Sequence, residues 1–247
     1  MLSQRVRDRL LLARSLETSY QPNATISKAL AEKTLVMLVG PAAVGKSFLI
    51  RHIIEIDSSF NRVPVFTTRD PRPDDEPGIF RNYPHNDESL SSLFDKIEKK
   101  EIVQYAIHPT SERLYGTAIN DFSGEFNLLA TLSSVVTHLQ QLPFKQTYVI
   151  GLAARPDIWK QRFNVRYPQK NDEQAKRLQE AIASLEWLLA GRQRSVVKWV
   201  DNSSEQPDNA IQSVIDIVKY NQQGDAQARH YARQMLESAR RAIKRSL

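Results

Sequence analysis

Two rhythms of apolar residues alternate along the chain. Short apolar runs rich in β-branched residues separate longer stretches with helical spacing, and a helical segment of about thirty residues precedes the first run. The short runs predict strands over 34–39, 62–68, 101–107, 112–117, 125–132, 146–153 and 196–201. The longer ones predict helices over 46–56, 88–100, 133–142, 156–165, 171–190, 207–221 and 225–245. Arg155-Pro156-Asp157-Ile158 and Gln206-Pro207-Asp208-Asn209 read as helix starts, because each places Pro and Asp in the first turn. The alternation predicts an α/β chain with a parallel central sheet flanked by helices. Ligands in such sheets bind beyond the carboxyl ends of the strands. No internal repeat or low-complexity tract interrupts the pattern.

The junction of the first predicted strand with its helix carries the most specific chemistry. Gly40-Pro41-Ala42-Ala43-Val44-Gly45-Lys46-Ser47 satisfies the spacing of a phosphate-binding loop in the strand–loop–helix setting that its mechanism needs. Glycines let the backbone curl around an anion, and the loop N–H groups and the positive helix end would face the β-phosphate. Lys46 would reach the β- and γ-oxygens, and the Ser47 hydroxyl would ligate Mg²⁺. With Phe48 after them, these residues form the expected grip on ATP. The competing reading is a glycine-bearing turn between a buried strand and a helix.

Charge and composition narrow the partners. The chain has no cysteine, which excludes disulfide staples, thiolate nucleophiles and Cys-ligated zinc. The longest apolar runs, such as Leu10 to Ala13 and Leu35 to Val39, are too short for a membrane span or a signal peptide, so the expectation is a cytoplasmic enzyme. A net charge of +6 calls for an acidic partner, either nucleic acid or a polyphosphate nucleotide. Much of the excess lies on a terminal helix carrying Arg229, Arg233, Arg240, Arg241, Lys244 and Arg245, with Tyr231, Met235, Leu236 and Ile243 on its apolar side. No aromatic platform accompanies that charge. The expected reading is a solvated helix docked by its stripe, and the expected ligand is a small phosphorylated molecule rather than nucleic acid or membrane.

A second informative stretch is Phe66-Thr67-Thr68-Arg69-Asp70-Pro71-Arg72-Pro73. Two arginines three apart, each close to a stiffening proline, suit the forked grip of a phosphate or carboxylate better than they suit a core. Between apolar strands they belong at a rim. The alternative is a proline-rich surface turn with incidental charges.

The phosphate loop, the Thr-Thr-Arg-x-Pro-Arg pattern and Leu114-Tyr115-Gly116-Thr117 together resemble the guanylate kinase family over roughly residues 34 to 220. The resemblance implies a P-loop kinase fold with a small acceptor-binding β subdomain at about 62–118 and a helical lid at about 156–190. It implies that Arg69, Arg72 and Tyr115 hold the acceptor's phosphate. It further implies that Arg162, Arg166 and Arg177 close over the transferring phosphoryl group, and that Asn202, in Val200-Asp201-Asn202-Ser203, rests against the donor adenine. On this division, residues 1–33 form an N-terminal helical extension, 34–222 the kinase-like domain and 223–247 a basic terminal helix.

The resemblance fails where the family reads guanine. Val65, Arg81, Gln104 and Ala118 replace the family's Ser, Tyr, Glu and Ser, and the family's Asp-x-Asp falls on Ala130 and Leu132. A neutral Gln offers one carbonyl where a carboxylate offers two charged oxygens, and Arg81 adds a donor and positive charge. Asp74, Asp75 and Glu76 are local acids able to substitute. Three functions remain in view: an ATP-dependent kinase of a nucleoside monophosphate (GMP or a related phosphate ester), a non-catalytic scaffold-type nucleotide-binding module, and a regulatory nucleotide-binding protein using the basic helices. The intact phosphate loop and retained phosphate ligands favour the first.

Overall fold

Every residue of Thr34–Val39 is sealed from solvent, as a strand covered on both faces requires, and this run lies at the middle of the larger sheet. The computed structural model describes residues 2–72, 75–108, 111–169, 171–191, 196–204 and 208–244; Asp74 and Arg245 lie outside them. In chain order the elements begin with α1 (Gln4–Leu16), α2 (Ala24–Leu30), β1 (Thr34–Val39), α3 (Lys46–Ile56), β2 (Phe60–Arg62), β3 (Val65–Thr67), β4 (Phe80–Asn82), α4 (Asp87–Glu98), β5 (Gln104–Ile107) and β6 (Leu114–Thr117). After a 3₁₀ turn at Ile119–Asp121 come β7 (Phe126–Thr131), α5 (Ser133–Gln141), β8 (Gln146–Ala153), α6 (Pro156–Arg166), α7 (Asp172–Leu189), β9 (Val197–Asp201), α8 (Asp208–Tyr220) and α9 (Ala226–Lys244).

The larger sheet is parallel, with strand order β2-β7-β1-β8-β9, and Val149 to Ala153 pair in register with Val197 to Asp201. The smaller sheet is mixed, in the order β4-β3-β6-β5. There β3 runs parallel to β4 but antiparallel to β6, and β5 is antiparallel to β6. The α/β class with a parallel core is therefore as the sequence pattern predicts. β1, α3 and β8 also match their predicted bounds to the residue. The predicted strand 62–68 divides into β2 and β3 at Val63-Pro64, because a proline has no N–H to continue a ladder. β4 was not predicted; three residues with two exposed polar side chains show no periodicity.

The chain folds as two compact units: residues 1–34, 61–127 and 137–146 in one, and 35–60, 128–136 and 147–247 in the other. In the first, α1 turns Val6, Leu10 and Ala13 into a core that includes Leu90, Leu93, Phe94 and Ile97 of α4, together with Phe66, Tyr105 and Leu114 of the smaller sheet. Tyr105 donates its hydroxyl to the Ala13 carbonyl and Tyr20 to that of Ile102, so both phenols are buried without an orphaned O–H.

In the second unit, α9 packs on α7, α6 and β9. Its buried stripe is Ala228, Ala232, Met235 and Ala239. This differs from the predicted stripe: Tyr231, Leu236 and Ile243 are only half-buried, since alanines permit the closest approach to another helix. Arg233, Arg240, Arg241 and Lys244 face solvent, with Arg240 paired to Glu186 at 2.7 Å, which agrees with a solvated basic helix docked by a stripe. Among the described residues no helix is long and apolar enough to cross a membrane.

Candidate functional site

The segment Gly40 to Gly45, which carries the phosphate-loop motif, joins the carboxyl end of β1 to α3 in the second unit. Two of its residues have positive φ, Ala43 at 62° and Gly45 at 100°. Gly45 has a second reason to lack a side chain, because a Cβ there would lie 2.3 Å from Asn202 Nδ2. Lys46 opens α3 and turns its ammonium back across the loop, donating to the Gly40 carbonyl at 2.7 Å and the Pro41 carbonyl at 2.9 Å. Burial, and then the charge of Arg166, pull Lys46 down to about 8 against the opposing influence of Glu180. A cation so held is under-compensated and available to an anion.

Two further contacts meet the loop from outside. Trp159, on the second turn of α6 and 2 % exposed, donates its indole N–H to the Ala42 carbonyl at 2.9 Å. Asn202, buried just past β9, donates Nδ2 to the Val44 carbonyl at 2.8 Å. The amide group expected against adenine is thus engaged with the loop itself. Sequence reading gave Trp159 no role, since a tryptophan near a helix start carries no motif and its partner lies 117 residues away.

The three expected lid arginines occupy different situations. Arg162 of α6 donates to the carbonyls of Asn202 at 2.6 Å and Ser204 at 3.2 Å. Arg177 of α7 is paired with Glu180 at 2.7 Å and more loosely with Glu173 at 3.7 Å. Burial opposes its charge, but these two carboxylates outweigh that and hold its pKa above the ordinary value. Arg166, at the end of α6, lies near enough to Lys46 to depress its titration.

The expected acceptor-binding residues all lie in the first unit, on or beside the smaller sheet. Register puts Thr67 opposite Tyr115 and Gln104 opposite Thr117, so Gln104, Tyr115, Thr117 and Thr67 share one face. Arg81 aligns with Phe66 and so belongs to the other face. There its guanidinium forks the buried Asp121 carboxylate, at 2.6 and 2.8 Å. Gly116 is required because a Cβ would lie 2.2 Å from the Phe66 ring.

Arg69 follows β3, where the buried Thr67 hydroxyl accepts its backbone N–H and the Thr68 hydroxyl accepts that of Leu114. Its guanidinium lies over the Phe80 ring at 4.6 Å and grips Asp75 through Nη2 at 2.8 and 2.9 Å. Arg72 is exposed and lends Asp75 only its backbone N–H, at 2.8 Å. Glu76 pairs with Arg62 at 3.3 Å, so both of these local acids are engaged by arginines. Gln104 Oε1 and Thr117 Oγ1 are buried and have no hydrogen-bond partner among the described residues. Ala130 and Leu132, at the carboxyl end of β7, are exposed.

The fold and loop define an α/β protein with a phosphate-loop motif at its first central strand. No family model matches the chain, and no curated protein matches it. Among solved structures, guanylate kinase from Anaplasma phagocytophilum is similar in fold, at 14 % sequence identity and a TM-score of 0.47, over 84 % of this chain and 95 % of that one. Likeness at that level concerns fold alone.

Proposed function

We propose that this protein is a guanylate kinase-like phosphotransferase that moves the γ-phosphoryl group of ATP onto a phosphate monoester, a nucleoside monophosphate such as GMP or a related ester. The observation that supports this most is the Lys46 ammonium, which spans the loop between the Gly40 and Pro41 carbonyls at the start of α3, where the β- and γ-phosphates of a nucleotide would lie. The residues proposed for ATP are Gly40 to Phe48, with Arg162, Arg166 and Arg177 as the cations that offset charge on the transferring group. The residues proposed for the acceptor are Arg69, Arg72 and Tyr115 for the phosphate and the Gln104 face for the base.

Mg²⁺ fits this arrangement through few protein ligands. Among the described residues no group of three or more acidic or imidazole side chains could hold a metal ion. Magnesium on a nucleotide keeps most of its shell as phosphate oxygens and water, so the Ser47 hydroxyl would be the protein's contribution. Bound there, the metal would neutralise charge between the β- and γ-phosphates.

A second reading, a nucleotide-binding module without transfer, draws on one observation. Leu132, 53 % exposed at the end of β7, is apolar where the resemblance calls for an acid. Radiolabelled ATP with Mg²⁺ and a panel of nucleoside monophosphates and other phosphate esters separates the two. Label transferred to an acceptor, and abolished by Lys46→Ala with circular dichroism unchanged, supports the kinase. ATP binding with no transfer to any acceptor supports the module.

A further inference from the structure

We propose that Trp159 and Asn202 are positioning residues that hold the phosphate loop in its anion-binding shape, Trp159 through the Ala42 carbonyl and Asn202 through the Val44 carbonyl. This rests on the reading of Gly40 to Ser47 as a polyphosphate grip, but it assigns a task to two side chains outside the motif.

A trans peptide is planar, so its C=O and the following N–H point in opposite directions. An outward hydrogen bond on the Ala42 carbonyl therefore fixes the direction of the Ala43 N–H, and one on the Val44 carbonyl fixes that of the Gly45 N–H. Neither of these N–H groups donates to a protein acceptor among the described residues. The fixed conformation carries a cost at Ala43, whose φ of 62° is one a residue with a side chain rarely adopts, whereas Gly45 takes its positive φ freely. With the intervening Val44 N–H donating back to the Pro41 carbonyl, the Ala43 and Gly45 N–H groups are the donors such a loop leaves for an anion.

The two braces come from separate elements. Trp159 belongs to α6, whereas Asn202 follows β9 and is itself tied to β8 by its N–H on the Ala153 carbonyl at 2.8 Å. Arg162 then joins the two by donating to the Asn202 carbonyl at 2.6 Å. Asn202 also passes so close to Gly45 that a Cβ at position 45 would lie 2.3 Å from its Nδ2. Loop shape is thus set by tertiary contacts as well as by its glycines.

The test uses the full chain and calorimetric titration with two probes, inorganic tripolyphosphate and ATP. Trp159→Phe keeps a ring and removes the N–H; replacing Trp159 with benzothienylalanine keeps the bicyclic shape and removes only the donor. Asn202→Ala removes the second brace. Trp199→Phe, in β9 and also buried, controls for lost packing. Each brace variant should weaken both probes about fivefold, the worth of one hydrogen bond, with the Trp199 variant unchanged even where its melting temperature falls as far. Wild-type affinity in the benzothienylalanine and Asn202→Ala proteins, or equal weakening by Trp199→Phe, overturns the proposal. Failure of the wild-type chain to bind either probe would overturn the phosphate-grip reading itself, and that result is visible before any variant is made.

Discussion

Arg69 Nη2 sits 2.8 Å from Asp75 Oδ1 and 2.9 Å from Asp75 Oδ2, so the arginine proposed to grip the acceptor's phosphate already grips a carboxylate. A phosphate monoester arriving there must displace Asp75, which has the same planar pair of oxygens to offer. Asp75→Asn should therefore tighten binding of inorganic phosphate severalfold, because a neutral amide competes less well for the guanidinium. Isothermal titration would show it, and weaker binding by the variant would mean that Asp75 orients Arg69 rather than competing for it.

The same pair has an acid signature. Burial pushes the Asp75 carboxyl up, but Arg69 and the Arg72 N–H outweigh this and leave it below the ordinary value. Its contribution to stability is present above the unfolded carboxylate pKa and is lost as pH falls through the folded one.

Lys46 titrates in the opposite range. With its pKa lowered to about 8, it is charged in both folded and unfolded chains below that pH, and the folded state then bears the cost of a desolvated ammonium. Between about 8 and the ordinary lysine value the folded chain sheds the proton first, so stability rises with pH across that window. Polyphosphate selects the charged form. ATP affinity should be full below pH 8 and fall by up to about tenfold per pH unit above it, with proton uptake on binding near pH 8. Titrations in buffers of different ionisation enthalpy, from about pH 7 to about pH 10, would measure that uptake; none anywhere in that range would show that phosphate does not meet Lys46.

Arg81 and Asp121 present a structural pair where the sequence suggested a substrate contact. The Asp121 side chain is 2 % exposed, and its Oδ2 also accepts the Ala118 N–H at 2.7 Å, so the pair fixes the turn after β6. Arg81→Leu leaves that carboxylate short of its strongest partner. The expected loss is about 1–3 kcal/mol in urea unfolding, smaller if water enters past the half-exposed arginine. A variant of unchanged stability with a raised KM for the acceptor would return Arg81 to a ligand-binding role.

What the sequence disclosed follows from how local each signal is. The loop from Gly40 to Ser47 was legible because its spacing and its strand and helix neighbours sit within one short stretch, and β1 and α3 flank it as predicted. The partners of the cations were not legible. Arg81 meets Asp121 forty residues on, and Arg162 meets a backbone carbonyl, which no residue type announces. The resemblance sets Asn202 against adenine; that its Nδ2 donates to the Val44 carbonyl is a contact that strand-end position in a sequence does not announce. The α9 stripe was misjudged for a packing reason: hydrophobicity favoured Leu236 and Ile243, while contact with another helix favoured Ala232 and Ala239.

Gln104, the position proposed to read a base, yields the sharpest test of substrate. Gln104 Oε1 and Thr117 Oγ1 are buried across the β5–β6 ladder without partners among the described residues, and an orphaned acceptor of this kind costs about 1–3 kcal/mol until something donates to it. A base that brings N–H groups would relieve that cost, but one neutral carbonyl cannot satisfy the two adjacent donors of guanine as a carboxylate can. Gln104→Glu should destabilise the free protein, because a carboxylate replaces an amide at a site 5 % exposed. It should also raise kcat/KM for GMP relative to other monophosphates by about tenfold, the gain in making a neutral acceptor charged. Thermal shift gives an independent reading: GMP should raise the melting temperature of the variant more than that of the wild-type chain. An unchanged GMP preference in the variant, or a wild-type kcat/KM for GMP already a hundredfold above every other monophosphate, would mean that guanine is read elsewhere on the protein.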